Sequence, residues 1–163
     1  MKNFCRDANA AIAVCTLLAC VAFLPQSISA ETGAAAWLRY APLSPSAAKT
    51  YEHFPTRLAV LGDSPVMKSA QNELTQGVAQ MLGRTLPAAG NVSGSSVVIG
   101  TLDRLHQIAP ALHPSSDLTT DGYWLTTARI RGFDCLVIAA ANDRGVLYGV
   151  FALLSKIARG ERL

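Results

Sequence analysis

Residues 62–83 alternate apolar and polar side chains with the period of an amphipathic helix. Gly62-Asp63-Ser64-Pro65 supplies a turn, a capping side chain and a proline at the first helical position, and Gly83 ends the pattern. The apolar positions recur on one face, at Met67, Ala70, Leu74, Val78 and Met81. The pattern therefore predicts one long helix with a buried side.

A second helix is predicted near the C-terminus. Asn142 or Asp143 caps its start, and Gly160 follows its end. Lys156 and Arg159 lie in its last turns, where cations are favourable. The residues that share its apolar face are Val146, Val150, Leu153 and Ile157.

Short apolar runs predict strands between and before these helices. Three runs read as buried strands, at residues 57–61, 97–99 and 135–140. Residues 123–128 alternate with strand periodicity, and 131–134 form a tight connection, so 123–128 and 135–140 are predicted to pair as a β-hairpin.

The order of elements predicts an α+β fold. Strand, helix, strand, hairpin and helix bury all their apolar runs if a mixed β-sheet carries both long helices packed on one face. Residues 37–40 are predicted to open a short strand, and 102–109 to form one or two helical turns. The predicted common core consists of Leu74, Val78, Val137, Ile138, Val150 and Leu153.

Residues 1–30 have the anatomy of a secretory signal peptide. Lys2 and Arg6 precede an apolar run that is short for a bilayer span, and Ala30 is a suitable cleavage position before Glu31. The expected organisation is a signal peptide at 1–30, a domain at 31–163, and export to the periplasm or the medium. A membrane anchor and lipidation of Cys20 are the alternatives.

Composition, charge and length exclude several classes of partner and site. Hydrophobic residues make up 50% and charged residues 15% of the 163, and the net charge is only +3 with no basic run, which gives nucleic acid no binding stripe. Of four cysteines, only Cys135 lies beyond the predicted signal, so neither a disulfide within the domain nor a cysteine metal site is expected. The rest of the chain is too short for an enzyme barrel of about 250 residues.

One local motif suggests an esterase. Gly62-Asp63-Ser64 after a strand resembles the nucleophile block of GDSL-type esterases, and Asp103 with His106 has the form of their acid–base pair. The Asp–His pair comes too early in the chain, however, and Pro65 after Ser64 marks a helix start. We therefore interpret Ser64 as a helix cap and keep the esterase as an alternative.

No other cluster predicts a catalytic, cofactor-binding or metal site. His53, His106 and His113 have no metal-ligand spacing. The carboxylates lie in predicted turns, caps or solvated faces, with Asp143 interpreted as a helix cap and Asp134 as a hairpin residue, and they form no defensible glycosidase pair.

Two glycines and two tryptophans suggest binding roles, and each also has a packing explanation. Gly145 and Gly149 allow close packing of the last helix against the sheet, rather than forming a membrane dimer motif. Trp37 and Trp124 are either sugar-stacking platforms or packing residues.

Three segments resemble a known domain. They are Trp37-Leu38-Arg39-Tyr40, Asp121-Gly122-Tyr123-Trp124-Leu125, and residues 142–154 (Asn-Asp-Arg-Gly-Val-Leu-Tyr-Gly-Val-Phe-Ala-Leu-Leu). Together they resemble the N-terminal domain of bacterial α-glucuronidases of glycoside hydrolase family 67, a domain type that also precedes the barrel of β-hexosaminidases.

The resemblance implies a function for the intact enzyme. Such enzymes remove α-1,2-linked 4-O-methylglucuronic acid from xylo-oligosaccharides in xylan breakdown, with inversion and without a metal. Their catalytic acid and base lie in a barrel that follows this domain, whereas this chain stops at Leu163, so no catalytic residue transfers. We expect a non-catalytic domain whose partner is that barrel, with an apolar contact face. A stand-alone carbohydrate-binding or interaction module is the alternative.

Overall fold

The computed structural model describes residues 40–163. Four helices and five strands occur in that range. In chain order they are α1 (Pro45–Lys49), β1 (Arg57–Leu61), α2 (Pro65–Leu82), β2 (Ala88–Ala89), β3 (Ser96–Thr101), α3 (Leu102–Ile108), β4 (Tyr123–Ile130), β5 (Phe133–Ala140) and α4 (Asp143–Ala158).

The strands form one mixed sheet in the order β2-β1-β3-β5-β4. β2, β1, β3 and β5 run parallel, and β4 pairs antiparallel with β5. β1, β3 and β5 bury apolar side chains on both faces, as expected for strands covered on both sides. The predicted mixed sheet is confirmed.

Both long helices cover the same face of the sheet. Leu74 and Val78 of α2 and Val150 and Leu153 of α4 are fully buried in a core that also contains Ile138 of β5. The predicted packing of the two helices on one face is therefore confirmed. Val137, predicted to share this core, is buried on the opposite face instead, because successive side chains of β5 alternate between faces.

The other face is covered by shorter segments. Leu105 of α3 packs there with Cys135 and Val137 of β5, and the half-buried Trp124 and Leu112 close the cluster. Residues 102–109 were predicted as helical turns, and α3 confirms them.

Several boundaries differ from the sequence prediction. The hairpin loop contains only Arg131 and Gly132, with φ of 51° and 87°, so β5 begins at Phe133. The short helix α1 and the two-residue strand β2 were not predicted. Tyr40 is not in a strand, and residues 37–39 of the predicted opening strand lie outside the described residues, as do the predicted signal peptide and Cys20.

The helix boundaries follow their local chemistry. Ser64 caps α2 by accepting a hydrogen bond from the backbone N–H of Met67 at 3.1 Å, and Gly83 ends it with φ of 64°. Across residues 40–163, no helix combines the length and apolar character needed to cross a membrane.

Candidate functional site

The carboxyl ends of the parallel strands meet the beginnings of the two long helices. β1 leads through Gly62 into α2, and β5 leads directly into α4. Thr101 at the end of β3 lies between them and lines a shallow depression with Val66 and Arg144. In open α/β sheets this edge is the usual location of binding sites, which makes it a candidate site in this chain.

The two helix starts are joined by a short hydrogen bond. Ser64 Oγ donates to Asp143 Oδ2 at 2.5 Å while also accepting from the backbone of α2. The helix cap of α4 is Asn142, whose Oδ1 accepts the backbone N–H of Gly145 at 2.9 Å. Asp143 was predicted as a cap, and that prediction is wrong: the carboxylate is turned toward Ser64, and Asn142 does the capping.

The turn before β4 is hydrogen-bonded to the start of α4. Asp121 Oδ1 accepts hydrogen bonds from Arg144 Nε at 2.9 Å and from Asn142 Nδ2 at 3.2 Å. Asn142 Nδ2 also donates to the carbonyl of Thr120. The hydrogen bond from Arg144, followed by that from Asn142, holds the pKa of the Asp121 carboxyl below its usual range. These contacts join the turn before β4, at residues 120 and 121, to the start of α4, at residues 142 and 144.

The proposed esterase residues are not assembled. Ser64 hydrogen-bonds Asp143 rather than a histidine, and Asp103 is exposed at the start of α3. α3 covers the sheet face opposite α2, and His106 Nε2 has no hydrogen-bond partner within the described part of the chain. A serine nucleophile needs a base within hydrogen-bond reach, and His106 does not serve Ser64 in this way.

The remaining sequence candidates are placed in packing or solvent. His106 and His113 lie edge to face with their ring centroids 6.5 Å apart. Across residues 40–163, no three His, Cys, Asp or Glu side chains gather closely enough to hold a metal ion. Trp124 packs with Leu105 in the cluster on the sheet face opposite the two long helices, which favours a packing role over a sugar-stacking platform.

The two glycines of α4 bring the helix against the sheet. A Cβ at Gly145 would lie 2.8 Å from Ala140 Cβ and 2.9 Å from the carbonyl oxygen of Gly122. A Cβ at Gly149 would overlap Ile138 Cγ2. The close packing predicted for these glycines is confirmed.

A larger groove opens at the amino end of the sheet, with a volume of about 780 Å³. Its lining includes Tyr51, Phe54, Cys135, Arg129 and Leu163. Burial raises the pKa of the Cys135 thiol, which keeps it protonated and poorly nucleophilic. The groove is therefore a concave surface lined by both apolar and polar side chains, and Cys135 is not an activated nucleophile within it.

The C-terminal turn beside the groove is fastened by polar contacts. Tyr51 Oη donates to the carbonyl oxygen of Glu161 at 2.6 Å. The Glu161 carboxylate accepts from Arg159 Nε at 2.5 Å and from Lys156 Nζ at 3.1 Å. The hydrogen bond from Arg159, followed by that from Lys156, lowers the pKa of the Glu161 carboxyl to about 2. Sequence reasoning missed this groove, because Tyr51 and Leu163, which both line it, are distant in the chain and carry no local motif.

Comparison with known proteins matches this unit as a whole. The family model described as "Glycosyl hydrolase family 67 N-terminus" matches residues 36–153. An α-glucuronidase of Hypocrea jecorina is 37% identical over 153 residues, which cover 89% of this chain and 17% of that protein. A probable α-glucuronidase A of Aspergillus fumigatus is 34% identical, covering 82% of this chain and 16% of that protein.

The chain thus spans about a sixth of the length of these relatives. A solved family GH115 4-O-methyl-α-glucuronidase with specificity for decorated arabinogalactans overlaps 63% of this chain and 13% of its own, at 20% identity and a TM-score of 0.46, too partial to carry weight. The matched residues contain the whole sheet and both helix starts at its carboxyl edge, and with them the chain belongs to the N-terminal domain family of glycosyl hydrolase family 67.

Proposed function

We propose that this chain is the non-catalytic N-terminal domain of an α-glucuronidase-like glycoside hydrolase. The intact enzyme would remove α-1,2-linked 4-O-methylglucuronic acid from xylo-oligosaccharides during glucuronoxylan breakdown. The proposal rests on the difference between the share of this chain that matches and the share of the relative that it covers. Nearly all of the described domain aligns with α-glucuronidases, yet it accounts for only 17% of such a protein.

The chemistry of the carboxyl edge supports a structural role. Glycoside hydrolysis uses two carboxyl groups on opposite sides of the scissile bond, one of them free to act as an acid. Here Asp143 is bonded to Ser64, and Asp121 is bonded to Arg144 and Asn142. Both carboxylates are engaged in contacts within the domain, which supports a structural role for them.

The groove at the amino end of the sheet is the surface we assign to the contact with the catalytic part. It is concave, and its lining includes Phe54, Leu136 and the side chain of Leu163, which is 43% exposed. The family description places this domain at the N-terminus, so a relative's polypeptide continues beyond the equivalent of α4, whose last turn lies beside the groove. An apolar surface of this kind is stabilised when a partner covers it.

Hydrolysis of aldouronic acids tests the proposal. The purified chain should release no 4-O-methylglucuronic acid from a substituted xylo-oligosaccharide, whereas the full Hypocrea jecorina α-glucuronidase serves as the positive control. A chimera of that enzyme carrying residues 36–153 of this chain in place of its matching segment should remain active. Turnover by the isolated chain would refute a non-catalytic role.

Two further outcomes discriminate the alternatives. Binding of unsubstituted xylo-oligosaccharides to the isolated chain in a calorimetric titration would favour a carbohydrate-binding module. Hydrolysis of p-nitrophenyl acetate that disappears in Ser64→Ala would favour the esterase.

We also propose that the protein is exported, on the basis of the pattern of residues 1–30. Expression with and without these residues in a bacterial host should place the chain in the periplasm only when they are present. Equal cytoplasmic retention of both forms would contradict export.

A further inference from the structure

Strand β4 ends the sheet on one side and is long for an edge. It has eight residues, whereas the opposite edge strand β2 has only two. Within residues 40–163, β4 pairs with β5 alone, so its outer row of backbone groups has no strand partner there. An edge of this length is a template for pairing with another strand unless it is protected.

The hairpin geometry identifies the outward-facing backbone groups. Arg131 and Gly132 both have positive φ, as in the two-residue type I′ turn, and Ile130 pairs directly with Phe133. In such a hairpin the residues flanking the turn exchange hydrogen bonds with each other, and the pattern alternates along the strand. The N–H and C=O groups that point away from β5 therefore belong to Tyr123, Leu125, Thr127 and Arg129.

Common protective features are missing from β4. Its sequence Tyr-Trp-Leu-Thr-Thr-Ala-Arg-Ile contains no proline, no lysine and no acidic residue. Arg129 is its one charged side chain, and it lies at the end nearest the turn. Natural edge strands usually carry prolines, lysines or inward-pointing charges to prevent pairing, so this edge is suited to it.

We propose that β4 pairs antiparallel with β4 of a second copy of this chain, about a two-fold axis at Thr126. This register places the outward-facing backbone groups of each strand opposite those of the other. It also sets Arg129 opposite Tyr123 of the second copy, and Trp124 opposite Ala128. The strand is thus complementary to itself in the way that a two-fold interface requires.

The side chains favour this register over its neighbours. Tyr123 is 42% exposed on the helix-bearing face, so its ring is available to the guanidinium of Arg129 in a cation–π contact. On the other face the indole of Trp124 lies opposite the methyl group of Ala128 of the second copy, because both side chains point to that side of the sheet. Shifting the axis by one residue, to Thr127, would instead place Arg129 opposite Leu125 and lose its pairing with Tyr123. The self-complementarity makes a second copy, rather than an unrelated peptide, the occupant.

Disulfide trapping tests the register. Two Thr126 residues across the axis form a non-hydrogen-bonded pair with Cα atoms about 4.5 Å apart, within the range for a disulfide. In the full chain with its four native cysteines replaced by alanine, Thr126→Cys should form a covalent dimer under mild oxidation. Thr127→Cys is the matched control, since its symmetry mate is a diagonal neighbour about 7–8 Å away and should cross-link poorly.

Charge placed on the edge tests the interface without a covalent bond. Thr127→Lys adds the protection that natural edges use, and should weaken dimerisation in sedimentation equilibrium by at least about tenfold. Thr85→Lys adds the same charge at an exposed position outside the strands and should leave dimerisation unchanged. A chain that remains monomeric at high concentration, or equal cross-linking at 126 and 127, would overturn the proposal.

Discussion

Replacing Gly149 by alanine should destabilise the domain even though alanine is the better helix former. Gly149 lies in the middle of α4 with the helix backbone pressed onto β4 and β5. A Cβ at this position would overlap Ile138 Cγ2 and lie 3.1 Å from Tyr123 Cβ. Tyr123 Cβ is bonded to the strand backbone and Ile138 Cγ2 is one bond further out, and the β-branched Ile138 has little freedom to rotate away.

The magnitude follows from two opposing terms. Alanine gains about 1 kcal/mol of helix propensity over glycine. Overpacking costs typically about 1–3 kcal/mol and more where the surroundings are rigid. Because two strands must move together, we take about 3 kcal/mol for the cost, which leaves a net loss of about 2 kcal/mol.

Urea denaturation of the purified chain measures this loss. For an m-value of about 2 kcal/mol per molar urea, the unfolding midpoint of Gly149→Ala should fall by about 1 M. Gly77→Ala is the matched control in α2, where the close atoms are Cδ2 and Cδ1 of Leu154, at 2.6 and 3.0 Å. These are the ends of a flexible side chain, so its midpoint should change little. A Gly149→Ala variant as stable as the parent would show that the helix is not held against the sheet as described.

Four further results are expected. Leu153→Ala removes a fully buried side chain and should cost about 2–5 kcal/mol of unfolding free energy, and a loss of a few tenths would contradict its burial. Ser64→Ala removes a cap and the bond between the two helix starts, so chemical denaturation should show a loss of about 1–2 kcal/mol; an unchanged midpoint would argue against that bond. The depressed pKa of Glu161 contributes stability above its ordinary value of 4.5 that is lost as the pH falls toward about 2, and an NMR titration giving an ordinary pKa would contradict the contacts. Mass spectrometry of exported protein should find Glu31 at the N-terminus, whereas an acylated Cys20 would contradict cleavage there.

The sequence contained most of the information on the elements and little on their mutual contacts. The start of α2 was predictable, because a serine followed by proline satisfies the backbone groups of a first turn locally. At the start of α4, two adjacent residues were each able to cap. Asn142 took that role because Asp143 is the partner of Ser64, a residue that the sequence places far away.

The sequence by itself determined the two long helices, the hairpin and the family, since periodicity, caps and turn residues act over short stretches of chain. Tertiary structure alone decided which face of β5 carries Val137, that Ser64 meets Asp143 and not His106, and that Tyr51 and Leu163 line one groove. The order in which strands join a sheet brings these residues together. That order is set by the burial of all the apolar faces at once, and no local pattern records it.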